Sequence, residues 1–126
     1  MMSIETISTP NAPAAIGPYS QAKTVGNLVF TSGAVPLDPN SGKVVGAEIT
    51  MQAHQTIKNL LAVLEASGAG AEDVIKTTCF IKNMEDFAGF NAVYAEYFTS
   101  KPARSCVEVA RLPKDVLCEI EAIAEI

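Results

Sequence analysis

Positive charge is scarce in this chain. Nine Lys and Arg face 14 Asp and Glu, a formal charge of −5, and the basic residues form no cluster. That argues against a surface built to grip phosphates, and aromatics at 6% are few for stacking single-stranded bases. Histidine occurs once, at His54, so no pair of imidazoles is available to cleave RNA. The three cysteines, Cys79, Cys106 and Cys118, are odd in number and lack a C-x-x-C spacing. They read as reduced thiols of a cytoplasmic protein, with neither disulfide nor metal. No apolar run approaches membrane-spanning length, and MMSIETIS lacks the basic and apolar regions of a signal peptide, so no membrane partner is expected. What is present is 126 residues with 48% hydrophobic and 18% charged content. That suits one globular domain, residues 1–126, short enough for a site to draw on a second subunit.

Residues 27–36, NLVFTSGAVP, read as a strand, and the run after DPNSG (38–42) reads as its hairpin return. From Glu48 to Ala66, Ile49, Ala53, Ile57, Leu60, Leu61 and Leu64 fall on one helical face, stopped by Ser67-Gly68. In DVIKTTCFIK, Ile75, Thr77, Cys79 and Ile81 alternate with Lys76, Thr78 and Lys82, a strand with one buried face. Asn83 is positioned to cap a second helix, with Asp86 in its first turn and Phe87, Phe90, Tyr94 and Phe98 on one stripe; Pro102 keeps it from running on. His54 falls on the polar side of the first helix and reads as a solvated surface residue.

Two final strands pose the functional question. In RSCVEVA, alternation puts Arg104, Cys106 and Glu108 on one face and Ser105, Val107 and Val109 on the other. In VLCEIEAIAEI, Val116, Cys118, Ile120, Ala122, Ala124 and Ile126 share one face, and Leu117, Glu119, Glu121, Ile123 and Glu125 share the opposite one. The expected fold is α+β, a two-layer sandwich of a mostly antiparallel sheet with two helices on one face. Arg104 and Glu119 are then expected together on the face away from the helices, beside Leu117, Ile123 and Val29. A face of that mixed character is expected to be covered by another subunit, with Arg104 in the cleft.

Four segments carry a family resemblance: NAPAAIGPYSQA, TSGAVPLDP, FNAVYAEYF and PARSCVEVARLPKD with the following EIEAIA. Across essentially the whole chain the sequence resembles the RidA/YjgF reactive intermediate deaminases. The resemblance implies a trimer of chorismate-mutase-like fold with sites in the clefts between subunits. It implies hydrolysis of 2-enamino and 2-imino acids (2-aminoacrylate, 2-iminopropanoate, 2-iminobutanoate) to 2-oxo acids and ammonia, without a cofactor or metal. It places the substrate-carboxylate arginine at Arg104 and the remaining site at Tyr19, Ser32, Gly33, Asn91, Cys106 and Glu119. One departure is visible: only Thr-Ser-Lys separates Phe98 from PARS, where many relatives carry a longer loop with an aromatic before the proline.

The chemistry of the residue types fits that placement. A guanidinium holds a planar carboxylate by two parallel charge-assisted bonds and so fixes its orientation. A carboxylate within one water of the imine carbon can relay protons, a gain of roughly 10²–10⁴-fold. The residues also admit plainer roles. Arg104 could pair with Glu119 or Glu108, Tyr19 could be a core aromatic, and Glu121 points the same way as Glu119. Cys106 has no histidine to activate it and reads as a pocket wall. Cys79 and Cys118 read as core, Lys114-Asp115 as a solvated turn, and Gly17 and Gly33 as backbone requirements. Two other functions use the same residues differently: a single-strand endoribonuclease acting as translation inhibitor, and a non-catalytic, chaperone-like trimer holding small carboxylates.

Overall fold

The spacing of apolar residues between Glu48 and Ser67 dictates the dominant element. In the computed structural model, which describes residues 3–126, helix α1 spans Ile49–Ser67. Gly68 ends it in the left-handed conformation, φ 94°, its N–H bonding back to Glu65 and Leu64. Ala53, Ile57, Leu60 and Leu64 are fully buried against the sheet. Three polar residues on the same buried stretch were not anticipated as structural. Asn59 donates to the carbonyls of Val35 and Leu37, both at 2.8 Å. Gln52 donates to Gly46 O and accepts from Leu117 N, while Thr56 lies against Cys118. These bonds satisfy loop backbone that would otherwise be buried unpaired.

The sheet has six strands: β1 (Ile4–Ile7), β2 (Ala22–Val25), β3 (Leu28–Thr31), β4 (Val74–Ile81), β5 (Ala103–Glu108) and β6 (Cys118–Glu125). Their order is β1-β2-β3-β6-β4-β5, antiparallel except for the β4–β5 pair. Between those two parallel strands the chain crosses over through helix α2 (Phe87–Tyr97), as parallel pairing requires. Both helices and a core of Val29, Cys79, Ile81, Phe90, Cys118 and Ile120 lie on one side of the sheet. The expected α+β two-layer arrangement is the observed one.

Several details differ from the expectation. The strand expected over 27–36 stops at Thr31, and only Ala34 pairs further, with Ile120. The hairpin return is a single bridge, Leu37 to Val44, around a turn in which Asp38 accepts from the N–H groups of Asn40 and Ser41. Strands β1 and β2 take the places beside β3 instead; each is four residues long, too short for a strong periodic signal. Asn83 caps a 3-10 turn, Met84–Asp86, rather than α2 itself. Helix α2 ends at Tyr97, well before Pro102. A bulge between Val74 and Lys76 turns Ile75 out to 48% exposure and Val74 inward. Ile126 is likewise exposed. On β3, Val29 is buried opposite Ala124, and Phe30, opposite Ile123, takes the outer position expected for Val29. His54 is half-buried rather than free: Nδ1 lies 2.8 Å from the Tyr97 hydroxyl and Nε2 3.7 Å from Glu96, tying α1 to α2. No helix among the described residues is long and apolar enough to cross a membrane.

Candidate functional site

Parallel pairing decides where Arg104 points. Thr77, Cys79 and Ile81 of β4 stand opposite Arg104, Cys106 and Glu108 of β5. Thr77 and Cys79 face the core, so Arg104 and Cys106 face the helices too. The expectation that Arg104 shares the outer face with Glu119 is therefore corrected. Alternation shows which residues share a face, but not which face the helices cover.

On that inner side, at the open edge of the sheet, α2 shapes the surroundings of Arg104. Its Nη1 donates to Asn91 Oδ1 at 2.7 Å. The guanidinium carbon lies 4.7 Å from the Tyr94 ring centroid and 5.6 Å from that of Phe87. Phe87, Asn91 and Tyr94 fall at i, i+4 and i+7, one helical stripe, so all three reach the same point. The Tyr94 hydroxyl is fixed 2.7 Å from Thr77 Oγ1, and burial raises its pKa. Among the described residues Arg104 has no ion-pair partner. Glu108, one of the two partners considered, accepts instead from Met84 N at 2.8 Å. Asn91, Tyr94, Lys101 and Arg104 line a shallow depression of about 440 Å³. Cys106 stands two residues along the strand, half-buried. Burial pushes its thiol up, and the Arg104 charge opposes that.

Glu119 belongs to a different place. On β6 it alternates with buried Cys118 and Ile120 and so lies on the outer face, beside Phe80 of β4. Its carboxylate rests directly on Gly33: a Cβ there would collide with Glu119 Oε2. Gly33 is thus needed for close approach and not for a left-handed backbone, the plainer role the sequence allowed it. Burial raises the Glu119 pKa, and the neighbouring Glu121 charge adds to the effect. Ser32 donates from Oγ to Ser20 O. Tyr19 is no core aromatic; it is 54% exposed. Tyr19, Ser32, Gly33, Lys114, Glu119 and Glu121 border a cavity of about 710 Å³, within the size range of small-molecule sites.

The loop carrying Tyr19 is pinned by a residue that sequence reading passed over. Buried Gln21 accepts from Thr9 N at 2.7 Å and donates to Thr9 O and Pro13 O at 3.1 and 2.8 Å. Tyr94 and Phe87 were also missed, having been assigned wholly to the core stripe. Their spacing with Asn91 was the available signal. Lys114 and Asp115 form the exposed turn expected of them, both at φ 55°, with Lys114 donating to Gly42 O. Cys79 and Cys118 are core, their thiols raised by burial to about 12 and about 11. Seven candidate residues thus form two separate groups: Arg104, Asn91 and Cys106 on the helix side at β5, and Tyr19, Ser32, Gly33 and Glu119 around the larger cavity, with Glu119 reaching it from the outer face.

Comparison with known proteins places this arrangement. The family model described as Endoribonuclease L-PSP matches residues 9–126. A RutC family protein of Pyrococcus horikoshii is 57% identical over 121 residues, covering 95% of this chain and 96% of the relative. The 2-iminobutanoate/2-iminopropanoate deaminase of Escherichia coli K12 is 53% identical over 124 residues, covering 95% of this chain and 96% of the relative. Among solved structures, Escherichia coli TdcF with bound serine superposes with a TM-score of 0.92 at 46% identity, covering 97% of this chain and 98% of that one.

Proposed function

Because the chain belongs to the Endoribonuclease L-PSP family, in its RutC/Rid group, we propose that it hydrolyses 2-imino acids and their enamine tautomers to 2-oxo acids and ammonia. The carrying observation is Arg104: a guanidinium held by Asn91 and stacked on Tyr94, yet without a carboxylate partner among the described residues. Such a group is oriented for a planar anion and left unneutralised. Serine bound to the related TdcF carries a carboxylate of that type. Glu119 is the proton carrier, since a carboxyl raised by burial takes up and returns a proton more readily near neutral pH.

Water adds to the carbon of the protonated imine as one of its protons passes to the Glu119 carboxylate, giving a neutral carbinolamine. Glu119 returns the proton to nitrogen, the C–N bond breaks, and the carboxylate takes the hydroxyl proton as ammonia leaves and the carbonyl forms. Tyr19, Ser32 and Gly33 wall the cavity around this step, and Cys106 borders the carboxylate. No cofactor takes part.

The two halves lie on opposite sides of one sheet, so a complete site needs a second copy. We place it between subunits of a homotrimer, the chorismate-mutase-like arrangement. The outer sheet face supports this, with Phe30 and Val107 41% and 43% exposed and no helix over them. The larger cavity carries Glu119 and Glu121 against a single cation, Lys114, and the smaller carries Arg104 and Lys101, so a head-to-tail contact that closes into a ring pairs net opposite charges. The same two carboxylates repel a phosphate backbone, which disfavours RNA cleavage.

The test is an imine-trapping assay. With threonine dehydratase generating 2-iminobutanoate, added protein should suppress the semicarbazide adduct and speed formation of 2-oxobutanoate. Unchanged adduct formation by folded protein would overturn the reading and leave a binding role for the same clefts.

A further inference from the structure

Cys79 and Cys106 are directly opposite one another on the parallel strands β4 and β5, and both side chains face the helices. Neighbouring strands lie about 4.8 Å apart. That separation falls within the roughly 4.4–6.8 Å between Cα atoms that a disulfide spans. Both thiols are free. Cys79 is fully buried and Cys106 half-buried, so the pair has one reachable sulfur and one concealed behind it. The third cysteine, Cys118, is on β6 opposite Ile81, diagonal to Cys79 and not directly across from it, and its sulfur contacts Thr56.

We propose that Cys79 and Cys106 are an oxidation site, closing to a reversible cross-strand disulfide under hydrogen peroxide. The Cys106 thiolate attacks one peroxide oxygen, the O–O bond breaks, and the departing hydroxide takes a proton to become water. Cys106 is left as a sulfenic acid. The Cys79 thiol then loses its proton and attacks the Cys106 sulfur; the S–S bond forms, the S–O bond breaks, and hydroxide leaves as water with that proton. Two thiols and one peroxide thus give one disulfide and two waters, with both sulfurs oxidised and the peroxide reduced. Cys106 reacts first because it is the more exposed; burial pushes its thiol up, and the Arg104 charge offsets only part of that. Buried Cys79, with its thiol near 12, waits for a sulfenic acid to form beside it. The bridge has a structural consequence at the clamp. Two residues earlier on the same strands stand Arg104 and Thr77, the latter holding the Tyr94 hydroxyl, so drawing these strands together shifts the floor under the guanidinium.

The test reads chemistry and not turnover, so it stands apart from the deaminase reading. Native protein is treated with peroxide, alkylated and digested with trypsin without reductant. The expected product links TTCFIK (77–82) to SCVEVAR (105–111), two hydrogen atoms lighter than the separate peptides, and dithiothreitol releases both. Cys118→Ser should retain the link. Cys79→Ser should lose it and carry Cys106 on to sulfinic and sulfonic acid. Wild-type protein that yields only over-oxidised Cys106, chains cross-linked through Cys106, or unmodified thiols would overturn the proposal.

Discussion

On the helix-covered side of the sheet, Arg104 is held by an amide and an aromatic ring, with no neutralising charge among the described residues. On the bare side, Glu119 rests on a glycine with a second carboxylate two residues away, and burial raises its pKa. One face thus keeps a fixed cation oriented and hungry for an anion; the other keeps a carboxyl inclined to hold a proton. The contrast shows how a small sheet can carry two incompatible environments. A backbone of alternating side chains keeps them on opposite sides, where neither quenches the other. Under the proposed function, one chain alone presents two half-sites.

The largest expected effect comes from removing the cation. Arg104→Ala should lower kcat/KM for 2-iminobutanoate hydrolysis by about 100-fold or more, given the roughly 1.5–3 kcal/mol of each hydrogen bond to a charged group. Arg104→Lys should be nearly as impaired, because it keeps the charge and loses the planar fork. Calorimetry should show Tm changed by only a few degrees, since the two cation–π contacts and the Asn91 bond at this half-buried edge are worth about 1 kcal/mol each. A large fall in Tm with turnover per folded molecule intact would make Arg104 structural. On the opposite face, Glu119→Gln should reduce kcat by about 100-fold, the lower end of proton-transfer effects. Gly33→Ala should reproduce roughly a tenth of that loss, by displacing Glu119 from its seat. Equal activity in Gly33→Ala would remove Glu119 from the reaction.

A mixing experiment sharpens the comparison itself. Arg104→Ala and Glu119→Gln chains, inactive apart, should recover about a quarter of wild-type turnover when unfolded and refolded together. In a ring, that is the share of clefts that take both intact halves from different chains. A site confined to one chain predicts no recovery.

The smallest effect concerns pH. Folding raises the Glu119 carboxyl above its ordinary value and so favours its protonated form. The stability from that group is complete below the ordinary carboxylate range and is lost as pH rises through the raised value. Glu119→Gln should therefore raise Tm slightly at about pH 7 and lose that advantage at about pH 4. A constant difference at both would show that the carboxyl does not titrate as its burial implies.

The elements differed in how plainly the sequence announced them. Helix α1 was legible because six apolar residues at helical spacing end at Ser67-Gly68, and Gly68 does take the left-handed cap. Strand β6 was legible because Cys118, Ile120, Ala122 and Ala124 alternate with glutamates and Ile123 over eight residues. Strands β1 and β2 were not, since four residues carry too little pattern. The grouping of Arg104 with Cys106 was correct, but their side of the sheet was not. They were expected on the face away from the helices, whereas the open edge at β5, Asn91 and the Tyr94 ring let a guanidinium lie on the helix side. Gln21, Gln52 and Asn59 went unread because a buried amide has no periodic signature; its role depends on which loop carbonyls arrive beside it.

By itself the sequence determined the main helices and strands, which residues share a face on β5 and β6, the family, and the presence of one guanidinium and one carboxylate in recognisable segments. Those follow from local periodicity and short motifs, which act within a few residues of chain. Tertiary structure alone decided which face the helices cover, that Gly33 seats Glu119, that Cys79 stands opposite Cys106, and that Arg104 and Glu119 are separated within one chain. Each depends on pairing between strands distant in sequence, and a period of two is satisfied equally well by either side of the sheet.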